Sequence, residues 1–476
     1  MSSSGPTLAV RCFPSRENMT LSSQVALVVE RFFFRYRGLL IWVHAAMFLF
    51  FIAVLAIPLL LDEPGEFDNL FTHFTLFSNY MMWGIWFPLV FISVIVTGRS
   101  WCGILCPMGA AAEWGNFRGL KREIPKWMRW PGTPIVSFLV ITIWGQTVGV
   151  RDHPESLALV FGGTLVLAIM IGFIYGRNKR AWCRHMCPIG LLLGVFSRIG
   201  AIEFMPKRKK EGGDLYTEKT LCPTMIDLSR KKESRHCIEC FRCVNPDSKG
   251  GVALRIRRPG EEIEEIAHRS PNMAEIWFFF LGTGIALGGF LWLVIPEYQS
   301  WRHGFGAWLL EREWWWALKP GPSWLMVVHP ERREVFYWLD FITIVSFMVG
   351  VMILTSGILA ATSGMAAWLS GRVGGGWTFS GRFIQLGYQY APVAMVSLVI
   401  GLGAKLFDLM AFIGLTSEQI QWLKVAMFLI SLVWSLWLSD RILKRQGVGA
   451  TRRWLPLIPG IAGSLAVGGG WWIAIF

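Results

Sequence analysis

Residues Arg99–Gly109 read RSWCGILCPMG, and residues Arg180–Gly190 read RAWCRHMCPIG. The two copies align at a constant offset of 81 residues, and Gly119 matches Gly200 in the same register. Each copy follows an apolar stretch, Tyr80–Gly98 and Leu157–Gly176, near the ~20 residues that cross a bilayer as helix. The first half of the chain therefore reads as two copies of a two-helix unit, each ending in a Cys-rich turn. Duplication predicts that the two turns lie side by side about a pseudo-two-fold axis.

Composition agrees with a membrane setting. Of 476 residues, 53% are hydrophobic and 16% charged, against ~25% charged in a typical soluble domain. Mean hydropathy is +0.45, and there are 26 Trp and 50 Gly. This excludes a disordered chain and a small disulfide scaffold. We expect an all-α polytopic membrane protein with about nine transmembrane helices and a small cytoplasmic ferredoxin-like segment. Besides the two stretches above, the spans are Gly38–Leu61, Pro134–Val150, Ala274–Ile295, Trp338–Ala361, Gly387–Met410, Trp422–Ser439 and Trp454–Phe476. Pro134–Val150 is short and holds Gln146; the last span holds Pro456 and Pro459.

Lys and Arg number 46 against 32 Asp and Glu, a net charge of +14. In a membrane protein this excess gathers in cytoplasmic loops; no basic helix or stacking module suggests nucleic acid. Arg31, Arg35 and Arg37 precede the first span, as do Arg11 and Arg16. Arg118, Lys121, Arg122, Lys126 and Arg129 follow the second, and Lys444, Arg445, Arg452 and Arg453 precede the last. The loop Asp62–Asn79 carries Asp62, Glu63, Glu66 and Asp68 and no Lys or Arg. A cytoplasmic N-terminus puts every basic segment on one side, with the loop Glu297–Glu334 outside. The first 25 residues lack a charged start followed by an apolar run and cleavage site, so no secretory signal is expected.

Four regions follow: a cytoplasmic amphipathic lead-in over 1–37, the duplicated membrane unit over 38–202, a polar iron–sulfur segment over 203–270, and a C-terminal membrane domain of about five helices over 271–476. The basic runs Lys207–Lys210 and Arg255–Arg258 read as solvated charge, with lipid headgroups or an acidic partner as the sharper alternative.

Eight of the nine Cys fall into three groups. Cys102 and Cys106 form C-x3-C-P, and Cys183 and Cys187 repeat it. Cys237, Cys240 and Cys243 form C-x2-C-x2-C, with Cys222-Pro223 upstream. Cys12 stands alone. All three groups map to the reducing side, which argues against disulfides. Zinc commonly takes C-x2–4-C pairs and stays open as an alternative. The C-x2-C-x2-C run with a remote Cys-Pro is close to a bacterial ferredoxin spacing and favours iron–sulfur. Eight thiolates suit two [4Fe–4S] clusters. The simple partition joins Cys102, Cys106, Cys183 and Cys187 in one cluster, and Cys222, Cys237, Cys240 and Cys243 in the other. A swapped partition is the alternative, because two-cluster ferredoxins exchange the Cys-Pro ligand. The Gly that follows each C-x3-C-P-x is expected to donate its amide toward sulfur.

These motifs, WCGILCPMGA, WCRHMCPIG and HCIECFRCVNP, resemble the membrane-bound 4Fe-4S polyferredoxins of the NosR/NapH type, with part of the pattern shared by the copper-handling CcoG proteins. The resemblance covers about residues 38–250. It implies a multi-pass bacterial inner-membrane protein, clusters at the cytoplasmic face, passing electrons between the quinone pool and a redox partner subunit, a cytochrome or iron–sulfur protein. A membrane copper reductase or assembly factor using the same clusters is the alternative function, and a zinc-bearing structural anchor a third. The chain departs from the family in lacking a flavin-binding domain before the first span, in having one C-x2-C-x2-C run, and in adding about 200 residues of unmatched sequence.

A few polar residues fall in or beside apolar stretches. His44 lies inside the first span and His73 just outside it. No second membrane His completes a haem site, so His44 reads as a packed, hydrogen-bonded side chain, with quinone contact as the sharper alternative. Lys405 and Asp408 sit one turn apart in one expected span and Lys424 in the next, either as a proton path or as a neutralised pair near a helix end. Asp340 opens a span. His185 lies within the second C-x3-C and either tunes that site or sits at the surface. Trp301, Trp308, Trp314–Trp316 and Trp324 read as an interfacial belt or a docking face.

Overall fold

The computed structural model describes residues 20–176, 179–207, 221–248 and 251–476. Cys12, Arg11, Arg16 and most of the Lys207–Lys210 run lie outside the described residues. Among the described residues, eight helices are long and apolar enough to cross a membrane: α1 Leu21–Leu60, α2 Phe74–Thr97, α4 Pro154–Ile174, α5 Met273–Val294, α6 Trp338–Arg372, α7 Phe379–Leu402, α8 Ser417–Arg445 and α9 Trp454–Ile475. A shorter apolar helix, α3 Thr133–Thr147, completes the series. At 15 residues α3 reaches ~22 Å, short of a ~30 Å core. It carries the chain back between α2 and α4, whose C-terminal ends lie at the same face. Its far end is held by Thr147, whose hydroxyl donates to Leu325 O at 2.8 Å.

Two findings bear on these expectations. First, the amphipathic stretch before the first span forms a helix, Leu21–Tyr36, which a short 3-10 turn, Arg37–Leu39, separates from the apolar run Leu40–Ala56 within α1. One face of it packs on the polar segment: Phe33 stacks on Phe241 at 3.9 Å, and the Glu30 carboxylate accepts from Leu254 N at 2.5 Å. Second, Lys405 and Asp408 do not lie in a span. The chain breaks at Gly403 and starts the short helix Ala404–Phe412. There the pair is 3.8 Å apart with Asp408 about half exposed, a neutralised pair just past a helix end.

Duplication is visible as symmetry. The tail of each copy ties to the helix end of the other: Leu120 N donates to Phe173 O at 2.7 Å, and Ala201 N to Ile95 O at 2.8 Å. Both α2 and α4 contain a π-helical turn, Met81–Trp86 and Ala158–Gly162. Small residues permit the close packing. A Cβ at Gly172 would come within 2.0 Å of Ala112 O.

In the second half, α5 and α6 approach through Gly284 and Gly288, where a Cβ would meet the Met352 and Met348 backbones at about 3 Å; small residues let membrane helices approach in this way. Helix α7 is central, with 89% of its apolar window buried. The polar segment folds on a two-stranded antiparallel sheet, β1 Ile202–Pro206 and β2 Val252–Ile256, in register Phe204↔Leu254.

A largely buried ion network fastens this segment to the bundle. Arg198 bonds Glu275 at 2.7 Å, Glu262 at 2.8 Å and Glu233 at 2.9 Å. Arg257 bridges Glu203 and Glu262, both at 2.6 Å. The Tyr388 hydroxyl of α7 donates to Glu275 at 2.8 Å.

Candidate metal centres

Each C-x3-C-P turn is built by one local device. Cys106 and Cys187 are the N-cap residues of short helices Pro107–Phe117 and Pro188–Phe196, with Pro at the first helical position. Pro suits that position because its missing N–H would have no partner there. The helix N-terminus then presents free amides and the positive end of its dipole to sulfur. Gly190 N donates to Cys187 Sγ at 3.2 Å, and the amides of Gly109 and Met108 bond Cys106. In each repeat the glycine amide thus bonds the cysteine sulfur.

The structure sorts the eight thiols into two groups. Cys102, Cys106, Cys183 and Cys187 are electrostatically coupled to one another. So are Cys222, Cys237, Cys240 and Cys243. Burial, with Cys102 alongside, pushes the Cys106 thiol up to about 11. Burial pushes Cys183 and Cys237 up to about 12. Such thiols ionise only when a cation compensates them, as metal binding does.

Spacing within the groups bears on which metal they suit. Four sulfurs at 2.3 Å around a tetrahedral zinc stand ~4 Å apart. Among the described residues no three cysteine sulfurs lie within 4.8 Å of one another. The second group instead surrounds a small cavity lined by all four of its cysteines, with Ile238, Phe241 and Lys231. The donor set and the spread of the sulfurs fit a cluster better than a single ion. Positive φ at Glu239 and Phe241, +52° and +56°, turns the backbone tightly enough to aim three sulfurs inward.

The two groups touch. A Cβ at Gly103 would lie 2.1 Å from Ile238 O and 2.8 Å from Cys240 N, so only glycine lets the first turn dock on the C-x2-C-x2-C loop. Arg180 lies between them. It is fully buried, donates to Cys102 O at 2.9 Å, pairs with Glu113 at 2.8 Å, and is electrostatically coupled to both Cys183 and Cys240. Its repeat mate Arg99 is also buried, with Nη2 3.9 Å from Cys102 Sγ. The two arginines cross the axis. Arg180 Nη1 lies 3.1 Å from a Cβ placed on Gly109, and Arg99 Nη2 lies 3.5 Å from one on Gly190.

His44 has its imidazole Nε2 3.1 Å from Gly103 O, the packed, hydrogen-bonded role expected of it. His73 caps α2, accepting from Thr75 N. His185 is half-buried, and burial with Arg184 beside it pushes it down to about 4. Asp340 opens α6 and pairs with Arg302 at 2.5 Å. The Trp-rich stretch is exposed from Trp301 to Trp324. Sequence reasoning marked Arg99 and Arg180 only as the starts of the repeats, and assigned no role to Glu113 or Arg242. Arg at the same position of both copies was the available signal.

Comparison with known proteins agrees with this geometry. The 4Fe-4S binding domain family matches residues 80–125 and 159–210, one stretch per repeat. An uncharacterized protein of Methanocaldococcus jannaschii is 26% identical over 174 residues, covering 35% of this chain and 68% of the relative. Ferredoxin-type protein NapH of Escherichia coli is 25% identical over 181 residues, 33% of this chain and 62% of the relative. Regulatory protein NosR of Stutzerimonas stutzeri is 21% identical over 196 residues, 34% of this chain and 26% of the relative. No solved structure matches. The duplicated part of the chain is thus similar to ferredoxin-type proteins such as NapH and NosR, and these likenesses support an iron–sulfur electron-transfer role.

Proposed function

We propose that the chain holds two [4Fe–4S] clusters at the cytoplasmic face of the bacterial inner membrane and links the quinone pool to a redox partner subunit. The observation that carries this reading is the division of eight buried or half-buried cysteines into two abutting groups of four. Cys102, Cys106, Cys183 and Cys187 would hold one cluster across the repeat axis; Cys222, Cys237, Cys240 and Cys243 would hold the other. When bound, such clusters supply one-electron transfer at potentials tuned by charge, hydrogen bonds and solvent exposure. The chain's own residues do the tuning. Gly109 and Gly190 aim amides at sulfur, Arg99 and Arg180 supply buried positive charge, and Phe33 with Phe241 covers the second site. The basic segments at this face support the cytoplasmic assignment.

The quinone link rests on the resemblance to the NosR/NapH-type proteins. The structure adds only a small cleft between α3, α5 and α7, lined by Phe138, Thr142, Gln146, Arg151, Ile285 and Gly289. It lies in the half of the bundle away from the cysteines. A copper reductase or assembly factor is the second reading of the same clusters.

The test is anaerobic purification of the full chain in detergent. We expect about eight iron and eight acid-labile sulfides, a low-temperature EPR signal after dithionite, and re-oxidation by a quinone analogue. Colourless protein holding stoichiometric zinc would overturn the cluster reading. Iron–sulfur protein inert to quinones would overturn the quinone link alone.

Two variants probe the design. Arg180→Gln removes a buried charge beside both groups while Glu113 keeps Arg242 at 2.8 Å. With an effective dielectric of ~20, both midpoint potentials should fall by on the order of 100 mV in an EPR-monitored redox titration; unchanged potentials would remove Arg180 from the scheme. Gly103→Val drives a side chain into Ile238 O and should lower the iron content by separating the two turns. Full iron in that variant would show that the contact between the turns is not needed.

A further inference from the structure

A second set of metal-ligating side chains sits at the opposite end of the bundle. His153 and Glu155 stand at the start of α4, whose 21 residues place them ~30 Å from the Cys183 turn. His329 belongs to a small hairpin, β3 Val328–His329 paired with β4 Glu334–Val335 in register His329↔Glu334. The hairpin is anchored to the end of α3 by Val327 N donating to Thr147 O at 2.9 Å. The imidazoles of His153 and His329 stack with centroids 4.1 Å apart. One ligand atom each from His153, Glu155 and His329 falls within 4.8 Å of the others, the single such set among the described residues.

The hydrogen bonds fix how these groups face. His153 is buried. Its Nδ1 lies 2.8 Å from Arg332 Nη1, and its Nε2 lies 3.0 Å from Glu334 Oε2. A guanidinium only donates, so Nδ1 presents a lone pair and Nε2 carries the proton toward Glu334. A histidine held by a carboxylate on its far nitrogen is the usual arrangement behind a metal. His329 has the same support: its Nδ1 lies 3.2 Å from Glu331 Oε1, leaving Nε2 free to ligate. The lone pair of His153 points at a cation already, the Arg332 guanidinium, which is steadied by Glu63 at 2.7 Å.

We propose that His153, His329 and Glu155 form a binding site for a divalent first-row ion of the zinc class, and that Arg332 is the internal cation this ion displaces. Two imidazoles and one carboxylate make up a common zinc donor set with an open fourth position. Imidazole also suits copper and nickel, whereas magnesium and calcium prefer all-oxygen sites. The surrounding acids Glu63, Glu331 and Glu334 favour a divalent cation and give the released Arg332 alternative partners.

The test uses the full chain, purified anaerobically in detergent and titrated with Zn²⁺, with zinc and iron measured in the same sample. We expect about one zinc per chain with the iron content unchanged. His329→Ala and Glu155→Gln, both changes at accessible positions, should each weaken zinc binding at least about tenfold, with iron retained. Arg332→Gln should tighten it several-fold, because the competing guanidinium is gone; a merely structural Arg332 would give no gain. No zinc bound, equal binding by the His329→Ala and Glu155→Gln variants, or weaker binding by Arg332→Gln would overturn the proposal. Zinc taken up only as iron is lost would place it at the cysteines and overturn it as well.

Discussion

Replacing Cys102 with Ala is expected to remove about half of the iron from the anaerobically purified chain, and Cys187→Ala the same half, because each [4Fe–4S] cluster takes four thiolates. The decisive result is the pair. Cys102→Ala with Cys187→Ala in one chain should lose no more iron than either alone, because both sulfurs belong to the group that spans the repeat axis. Cys102→Ala with Cys240→Ala should lose nearly all of it. A swapped partition, in which a Cys-Pro ligand serves the other cluster, reverses the first outcome: the Cys102–Cys187 double variant would then be stripped. Iron per chain and EPR spin count read both arms. Full iron in both single variants would remove the repeat-axis site.

The second large effect is on stability. Arg198 is fully buried and touches Glu275, Glu262 and Glu233. Arg198→Met leaves two fully buried carboxylates short of a partner, at a cost of ~3–5 kcal/mol. We expect a lower thermal midpoint in detergent and early loss of iron, since this network joins the cysteine-bearing segment to α5 and α7. Arg198→Lys should recover only part, because a single ammonium cannot replace the fork of a guanidinium. The same network gives the protein an acid limit. Burial alone would raise the Glu262 carboxyl, but Arg257 and Arg198 outweigh it and hold it down to about 2 from 4.5. A depressed carboxyl stabilises the fold above its unfolded value, and that contribution fades as pH falls from about 4.5 toward 2. Stability should therefore drop across that window, and Glu262→Gln should flatten the drop. An Arg198→Met protein with an unchanged midpoint and full iron would dismiss the network as a fastening.

Much of this was open to reading along the chain. Apolar runs, Lys and Arg placement and the eight-cysteine pattern are local properties, and they survive folding because burial and thiol chemistry act on the same residues that the spacing displays. Span ends were less legible. The span expected over Gly387–Met410 is present but runs Phe379–Leu402, because Gly403 breaks the helix, a backbone event that apolar content does not report.

Sequence by itself determined a duplicated, apolar helical unit presenting four thiols and a polar segment presenting four more, because repetition, hydropathy and cysteine spacing are written in residue order. Only the tertiary structure decided which thiols meet, that Arg99 and Arg180 each cross the axis to the other copy, and that His153 faces Arg332 from 179 positions away. Those are contacts between distant segments, set by how helices pack and where their ends fall, and spacing along the chain carries no term for them.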